Sequence, residues 1–335
     1  MAVTAATASG EPDAVVHPDR WRHSLILVVT RRCNLRCAYC PTVKDGLPDL
    51  TVDDVHRAID VFVERFGGGD LKLFGGEPLL VPDLVRAAIT YAPPSVRVYL
   101  STNAVPLDDD LFALLEAHPD VTVTVSLDGT ARDHDGLRRG GASHAVVLEK
   151  LPRLLRLPRF VVTQTIAPST AVRAAENFRY LRTLGVRRLN LLPGYYLPWR
   201  TDQLAALYTS FDQIGDDIAA TWAAGEPFYL RNLFVLAPTP FYNTGFVVDV
   251  DRSVHPSNLI LAGDFDQFRA RTAVGTLDDP PDVAALDAGA ASTARHLRET
   301  LPADVLAATT AVDAALTRLC NRLYPALLAR RNART

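Results

Sequence analysis

The chain is poor in sulfur: among 335 residues there are four cysteines and one methionine. Three of the cysteines, Cys33, Cys37 and Cys40, crowd into one short segment, and the fourth, Cys320, stands far downstream. Such a set disfavours a disulfide framework, because three neighbouring thiols leave one unpaired. An excess of charge of either sign is also lacking. A formal net charge of −3 gives no electrostatic footing for nucleic acid or a membrane surface. No stretch approaches the roughly 18 consecutive apolar residues of a membrane span. The amino terminus has neither a basic segment nor an apolar run suited to a signal peptide. Residues 1–22 read as a flexible tail, and the protein is expected to be cytoplasmic, with no nucleic-acid or membrane partner.

What is present is a repeating alternation of short apolar runs and amphipathic stretches, as in parallel α/β folds. Strands are expected at Ser24–Thr30, Leu71–Phe74, Val96–Leu100, Val121–Val125, Phe160–Thr165 and Arg188–Leu192. Helices are expected between them, at Thr51–Arg65, Asp83–Tyr91, Asp108–Ala117, Ala145–Leu155 and Ala171–Leu184. Nearly every polar motif falls at the carboxyl end of a strand, where barrel active sites gather. Periodicity alone leaves a barrel and a doubly wound open sheet as alternatives.

The cysteine segment reads Cys33-Asn34-Leu35-Arg36-Cys37-Ala38-Tyr39-Cys40-Pro41. Iron–sulfur clusters are held by cysteine thiolates, usually four of them. Three leave one iron of a [4Fe–4S] cluster open to a small molecule. A zinc site, the alternative, needs a further ligand from Cys320 or a histidine. Downstream, Gly75-Gly76-Glu77-Pro78, Ser101-Thr102-Asn103-Ala104 and Ser126-Leu127-Asp128-Gly129 each close a strand, and His134-Asp135-Gly136-Leu137-Arg138 follows. Their order and spacing resemble the radical S-adenosylmethionine (radical SAM) superfamily, and within it the SPASM and twitch group, over about residues 24–200.

That resemblance implies a partial (β/α)6 TIM-like barrel with one [4Fe–4S] cluster on Cys33, Cys37 and Cys40. The cluster would bind SAM at its open iron and cleave it reductively to a 5'-deoxyadenosyl radical. Gly75, Gly76 and Glu77 would take the amino group of SAM, and Ser126 and Arg138 its carboxylate. Ser101 and Asn103 belong to the turn that resembles the family's STNG motif. Gln164 would lie near the ribose and Tyr39 near the adenine. Ala104 stands where glycine is common, and a left-handed backbone there would be costlier with alanine. A flavodoxin- or ferredoxin-like donor would supply the electron.

The domain plan is a tail at 1–22, a core domain at 23–200 and a substrate-capping region at 201–335. This last region is expected to be mostly helical with a small β-hairpin near Asn243–His255. At His255-Pro256-Ser257-Asn258 it lacks the cysteines that hold auxiliary clusters in SPASM and twitch proteins. Tyr195, Tyr196, Trp199, Arg200, Tyr229, Arg231, Tyr242 and Asn243 are candidate substrate contacts. Cys320 is either a buried thiol or a hydrogen-atom donor. The space before the first strand leaves no room for a leader-peptide-binding domain. The expected substrate is therefore a small polar metabolite of sugar or nucleoside type in an antibiotic pathway. The reaction would be decarboxylation, dehydration, epimerisation or dehydrogenation. A ribosomally made peptide and, more remotely, a zinc-bound interaction protein are the alternatives.

Overall fold

The computed structural model describes residues 24–40, 42–44, 46–234, 244–262 and 269–332. The tail expected at 1–22, and the candidates Tyr242 and Asn243, lie outside the described residues. No helix among the described residues is long and apolar enough to cross a membrane.

In chain order the strands are β1 (Ser24–Thr30), β2 (Arg36–Cys37), β3 (Gly69–Gly75), β4 (Val96–Thr102), β5 (Thr122–Ser126) and β6 (Arg138–Arg139). They continue with β7 (Phe160–Ile166), β8 (Arg188–Pro193), β9 (Tyr229–Leu230), β10 (Thr244–Val248), β11 (Ser253–Ser257) and β12 (Gly275–Thr276). The helices are α1 (Val52–Phe66), α2 (Pro82–Tyr91), α3 (Asp109–Ala117), α4 (Ala131–Leu137) and α5 (Ser143–Leu154). After them come α6 (Ala174–Thr183), α7 (Thr201–Ala223), α8 (Arg269–Thr272), α9 (Val283–Thr300) and α10 (Ala303–Asn332).

Six strands, β1, β3, β4, β5, β7 and β8, pair in parallel in sequence order and form the (β/α)6 partial barrel. Parallel strands covered on both faces read as continuous apolar runs, which is why SLILVVT is buried throughout. Local signals end the helices where the pattern stops. Thr51 and Asp54 form a capping box at the start of α1, and Gly67, at φ 73°, closes it in the left-handed conformation.

The expected hairpin does not stand apart from the barrel. Strand β10 pairs in parallel with the outer edge of β1, and β11 and β12 follow antiparallel, giving a ten-stranded sheet. Arg31, fully buried at the end of β1, forks onto Asp249 just beyond β10, and Arg269 joins the same carboxylate at 2.8 Å. At the other end of the molecule α10 lies along α7, with Arg318 on Asp212 at 2.9 Å and Arg322 on Asp216.

Register sorts the strand residues into two faces, since side chains alternate across a strand. Leu71, Leu73, Val98, Leu100, Val123, Val125, Val162, Leu189 and Leu191 face the helices and join the main core. The concave face carries Lys72, Tyr99, Ser101, Thr124, Ser126, Thr163, Thr165 and Asn190. A polar lumen inside an apolar wall leaves the interior suited to a ligand.

Candidate functional site

The cysteine loop is strapped down at several points. Gly76 N–H donates to Thr30 O and Glu77 N–H to Arg32 O, both at 2.8 Å. A Cβ on Gly76 would run into the carbonyl oxygens of Arg31 and Arg32. Here the double glycine therefore serves the close approach of the GGEP turn to the cysteine loop. Further along, β2 pairs with β6, setting Cys37 opposite Arg138, and Ala38 N–H donates to Leu137 O at 2.8 Å. Asn103 Nδ2 reaches Asn34 Oδ1 at 2.9 Å, and Lys44 donates to Leu35 O. Three strand-end motifs thus converge on one loop.

Cys33 and Cys37 are half-buried and Cys40 is exposed. Burial pushes the thiols of Cys33 and Cys37 up. The Leu35 N–H and Lys44 pull against it at Cys33, and Arg138 does so at Cys37. Those donors favour the thiolates that metal binding requires. Leu35 N–H sits 3.4 Å from Cys33 Sγ. Among the described residues no three His, Cys, Asp or Glu side chains converge as a single ion demands. Three thiols on one strapped loop fit an iron–sulfur cluster, which cysteine thiolates hold. Cys320 is not with them. It is 5% exposed in the apolar core, and burial pushes its thiol up to about 12. It packs there as a small hydrophobe.

Two of the expected SAM contacts are engaged with protein groups. Glu77 is 1% exposed; its Oε1 accepts from Leu79 N–H at 3.0 Å and Thr102 Oγ1 at 2.6 Å, and its Oε2 from Asn103 N–H at 2.7 Å. Burial raises its pKa, opposed by these three donors. It ties the GGEP turn to the end of β4. Arg138 is neither a surface charge nor open to a ligand carboxylate through its fork. Its Nε and Nη2 donate to Asp128 at 2.8 and 3.0 Å, and both side chains are buried.

The carboxylate of Asp128 is the hub. It also accepts from the Tyr39 hydroxyl and from Thr165 N–H, each at 2.9 Å, while the Arg138 guanidinium lies 5.4 Å from the Tyr39 ring centroid. Tyr39 is thereby placed in a polar cluster, and its hydroxyl is held protonated by burial. Behind the hub, His134 Nδ1 accepts from Asp128 N–H at 3.1 Å, leaving Nε2 to donate to Ser143 Oγ at 3.0 Å. The motifs that contain Asp128 and His134 stand out in the sequence, but neither residue is given a role of its own there. The signal was the spacing that sets Asp128 and Arg138 in one motif.

Gln164 is the residue expected near the ribose. It faces the helices, with Nε2 donating to Ala174 O at 3.0 Å and Oε1 buried without a partner. The neighbouring Thr163 and Thr165 face the lumen instead, a one-residue difference in register. Ser101 and Ser126 are half-buried on the concave face. Ala104 adopts φ 61°, the left-handed conformation, with its carbonyl held by Lys150 Nζ at 2.9 Å.

The aromatic candidates divide. Trp199 is buried and donates to Gly194 O at 2.7 Å, and exposed Arg200 pairs with Asp202. Tyr195 is raised in pKa by burial and lies beside Asp313, whose carboxyl burial pushes up to about 6. Tyr196 N–H donates to Thr309 Oγ1 at 3.0 Å. Tyr229 and Arg231 join the concave face, Tyr229 paired with Arg188 and Arg231 near Tyr99 and Thr124.

A strapped three-cysteine loop at the carboxyl ends of a six-stranded parallel barrel defines a class. Residues 27–168 match the family model of the Radical SAM superfamily. Over these residues the chain carries a radical SAM domain, and the superfamily that shares it uses a [4Fe–4S] cluster and S-adenosylmethionine. It is 34% identical over 137 residues to the GTP 3',8-cyclase of Rhodococcus opacus, 38% of each chain being covered. It is 29% identical over 163 residues to the AdoMet-dependent heme synthase of Methanosarcina barkeri, covering 47% of this chain and 46% of that protein. The chain thus spans less than half the length of these curated relatives. The fold is shared with native anSMEcpe with bound AdoMet and Kp18Cys peptide, at a TM-score of 0.65 and 16% identity, covering 78% of this chain and 79% of that one.

Proposed function

We propose that this chain is a radical SAM enzyme that holds one [4Fe–4S] cluster on Cys33, Cys37 and Cys40 and removes hydrogen from a small polar metabolite of sugar or nucleoside type. The observation that carries the reading is the cysteine loop, tied by backbone hydrogen bonds to the GGEP turn and to the Leu137–Arg138 segment at the open end of the barrel. When bound, the cluster and SAM supply one-electron cleavage and hydrogen abstraction, chemistry that belongs to the cofactor. The chain orients, covers and excludes water. The Asp128 hub fixes Tyr39 and Cys37 relative to β7, and Ser101, Ser126 and Thr165 offer hydroxyls to the ligand. A flavodoxin- or ferredoxin-like protein is the proposed electron donor.

Similarity to a nucleotide cyclase and a heme synthase, at higher identity than the structural neighbours, supports a small-molecule substrate. The alternative is maturation of a ribosomally made peptide, which the peptide-bound structural neighbour favours. Anaerobic reconstitution with iron and sulfide, followed by dithionite and SAM, tests the enzyme reading. Formation of 5'-deoxyadenosine is expected; a protein that loads zinc alone and leaves SAM intact contradicts it.

A further inference from the structure

Below the hydroxyls of Ser101 and Ser126, the lumen of the barrel is strongly cationic. Lys72 projects from β3 on the concave face, level with Tyr99 of β4. Arg231 lies over the Tyr99 ring, 5.2 Å from its centroid, and its Nη1 is 3.4 Å from Thr124 Oγ1. Arg188 of β8 stacks on Tyr229, 4.3 Å from the ring centroid, with its Nε buried and without a partner. The acidic residue acting on Lys72 is Asp70, which is already ion-paired with Arg97. Among the described residues Lys72 makes no hydrogen bond or ion pair.

Stacking on aromatic rings accounts for the two arginines as packing elements. It does not account for Lys72, whose pKa is lowered by burial and by Arg231 against the pull of Asp70. Lys72 is half-buried in the lumen, and an ammonium drawn partly out of water with no partner costs stability, so such a charge is retained where a ligand completes it. We propose that Lys72, Arg188 and Arg231 form an anion-binding subsite in the barrel lumen, which holds a carboxylate or phosphate group of the substrate. The inference rests on the enzyme reading above and adds the charge of the substrate to it. Its position is also suited to that role. Thr124 lies one inward-facing residue below Ser126, about 7 Å along β5. An anion anchored beside Thr124 leaves the rest of a small molecule extending toward the cysteine loop.

The test is thermal unfolding of the reconstituted full chain, titrated at constant ionic strength with inorganic phosphate in one arm and acetate in the other, against chloride. A saturable rise of about 2–4 °C is expected with at least one of the two. A rise with phosphate points to a phosphate ester and a rise with acetate to a carboxylate. Lys72→Met and Arg231→Gln are expected to lose the response. Without added anion, Lys72→Met is expected to unfold at the wild-type temperature or above it. No rise with either anion, an undiminished rise in both variants, or a Lys72→Met protein that melts lower without anion overturns the subsite. Formation of 5'-deoxyadenosine by the wild type, measured alongside, reports separately on the enzyme reading.

Discussion

Arg138 and Asp128 form a buried two-pronged ion pair, Nε to Oδ2 at 2.8 Å and Nη2 to Oδ1 at 3.0 Å, directly behind Cys37. Because the fork faces Asp128, the arginine acts on the site by fixing the loop around it. Removing one partner of a buried pair leaves the other charge uncompensated, at a cost of about 3–5 kcal/mol. Arg138→Ala is therefore expected to lower chemical-denaturation stability by about that amount, with any loss of SAM affinity following from the disturbed loop. A variant of wild-type stability that has lost SAM binding would return Arg138 to a direct contact.

Ala104 presents opposing effects of similar size. Its left-handed backbone costs about 1–2 kcal/mol relative to glycine. Glycine would give up a fully buried methyl worth about 0.8 kcal/mol and would add roughly 0.4–1 kcal/mol of unfolded-chain freedom. Ala104→Gly is expected to change stability by less than about 1 kcal/mol, which explains how alanine is tolerated in the turn. A urea melt showing a gain or loss above about 2 kcal/mol would contradict this balance.

Acid should loosen the fold before most carboxylates protonate. Burial pushes His134 and His255 down to about 4, below the ordinary 6.5. The unfolded chain then binds more protons across that window, so stability is full above 6.5 and falls as pH drops toward 4. Asp313, pushed up to about 6, works in the opposite direction between 3.8 and 6 and is partly solvated. His144, also lowered by burial, adds to the histidine side and Glu77, raised by burial, to the opposing one, leaving a net loss on the order of a few kcal/mol. His134 also has a local reason to resist protonation, since a proton on Nδ1 would face the Asp128 N–H. Denaturation midpoints should fall across this range, and less steeply in His255→Gln. Flat midpoints would refute the assignment.

The strands and the motifs at their carboxyl ends were legible because each depends on local pattern. Apolar runs mark covered parallel strands, and glycines and small polar residues mark where they end. Residue-level roles were less legible because they depend on long-range placement. Whether Gln164 or Thr165 faces the lumen turns on one residue of register. Whether Arg138 meets a ligand or Asp128 depends on how β6 folds back along β2. The attachment of β10 to β1 joins segments more than 200 residues apart, which no local pattern encodes. The cationic lumen was missed for the same reason: Lys72, Arg188 and Arg231 come from three separate parts of the chain.

The central claim is that Cys33, Cys37 and Cys40 hold one open-sited cluster and that the chain carries no second one. The direct measurement is iron and acid-labile sulfide per chain, in reconstituted wild type and in a variant with all three cysteines changed to alanine. About four irons per chain, falling to almost none in the variant, is the predicted result. Cys320, alone in the apolar core, cannot supply another set of ligands. Zinc in place of iron, or a variant that keeps its cluster, would contradict the account.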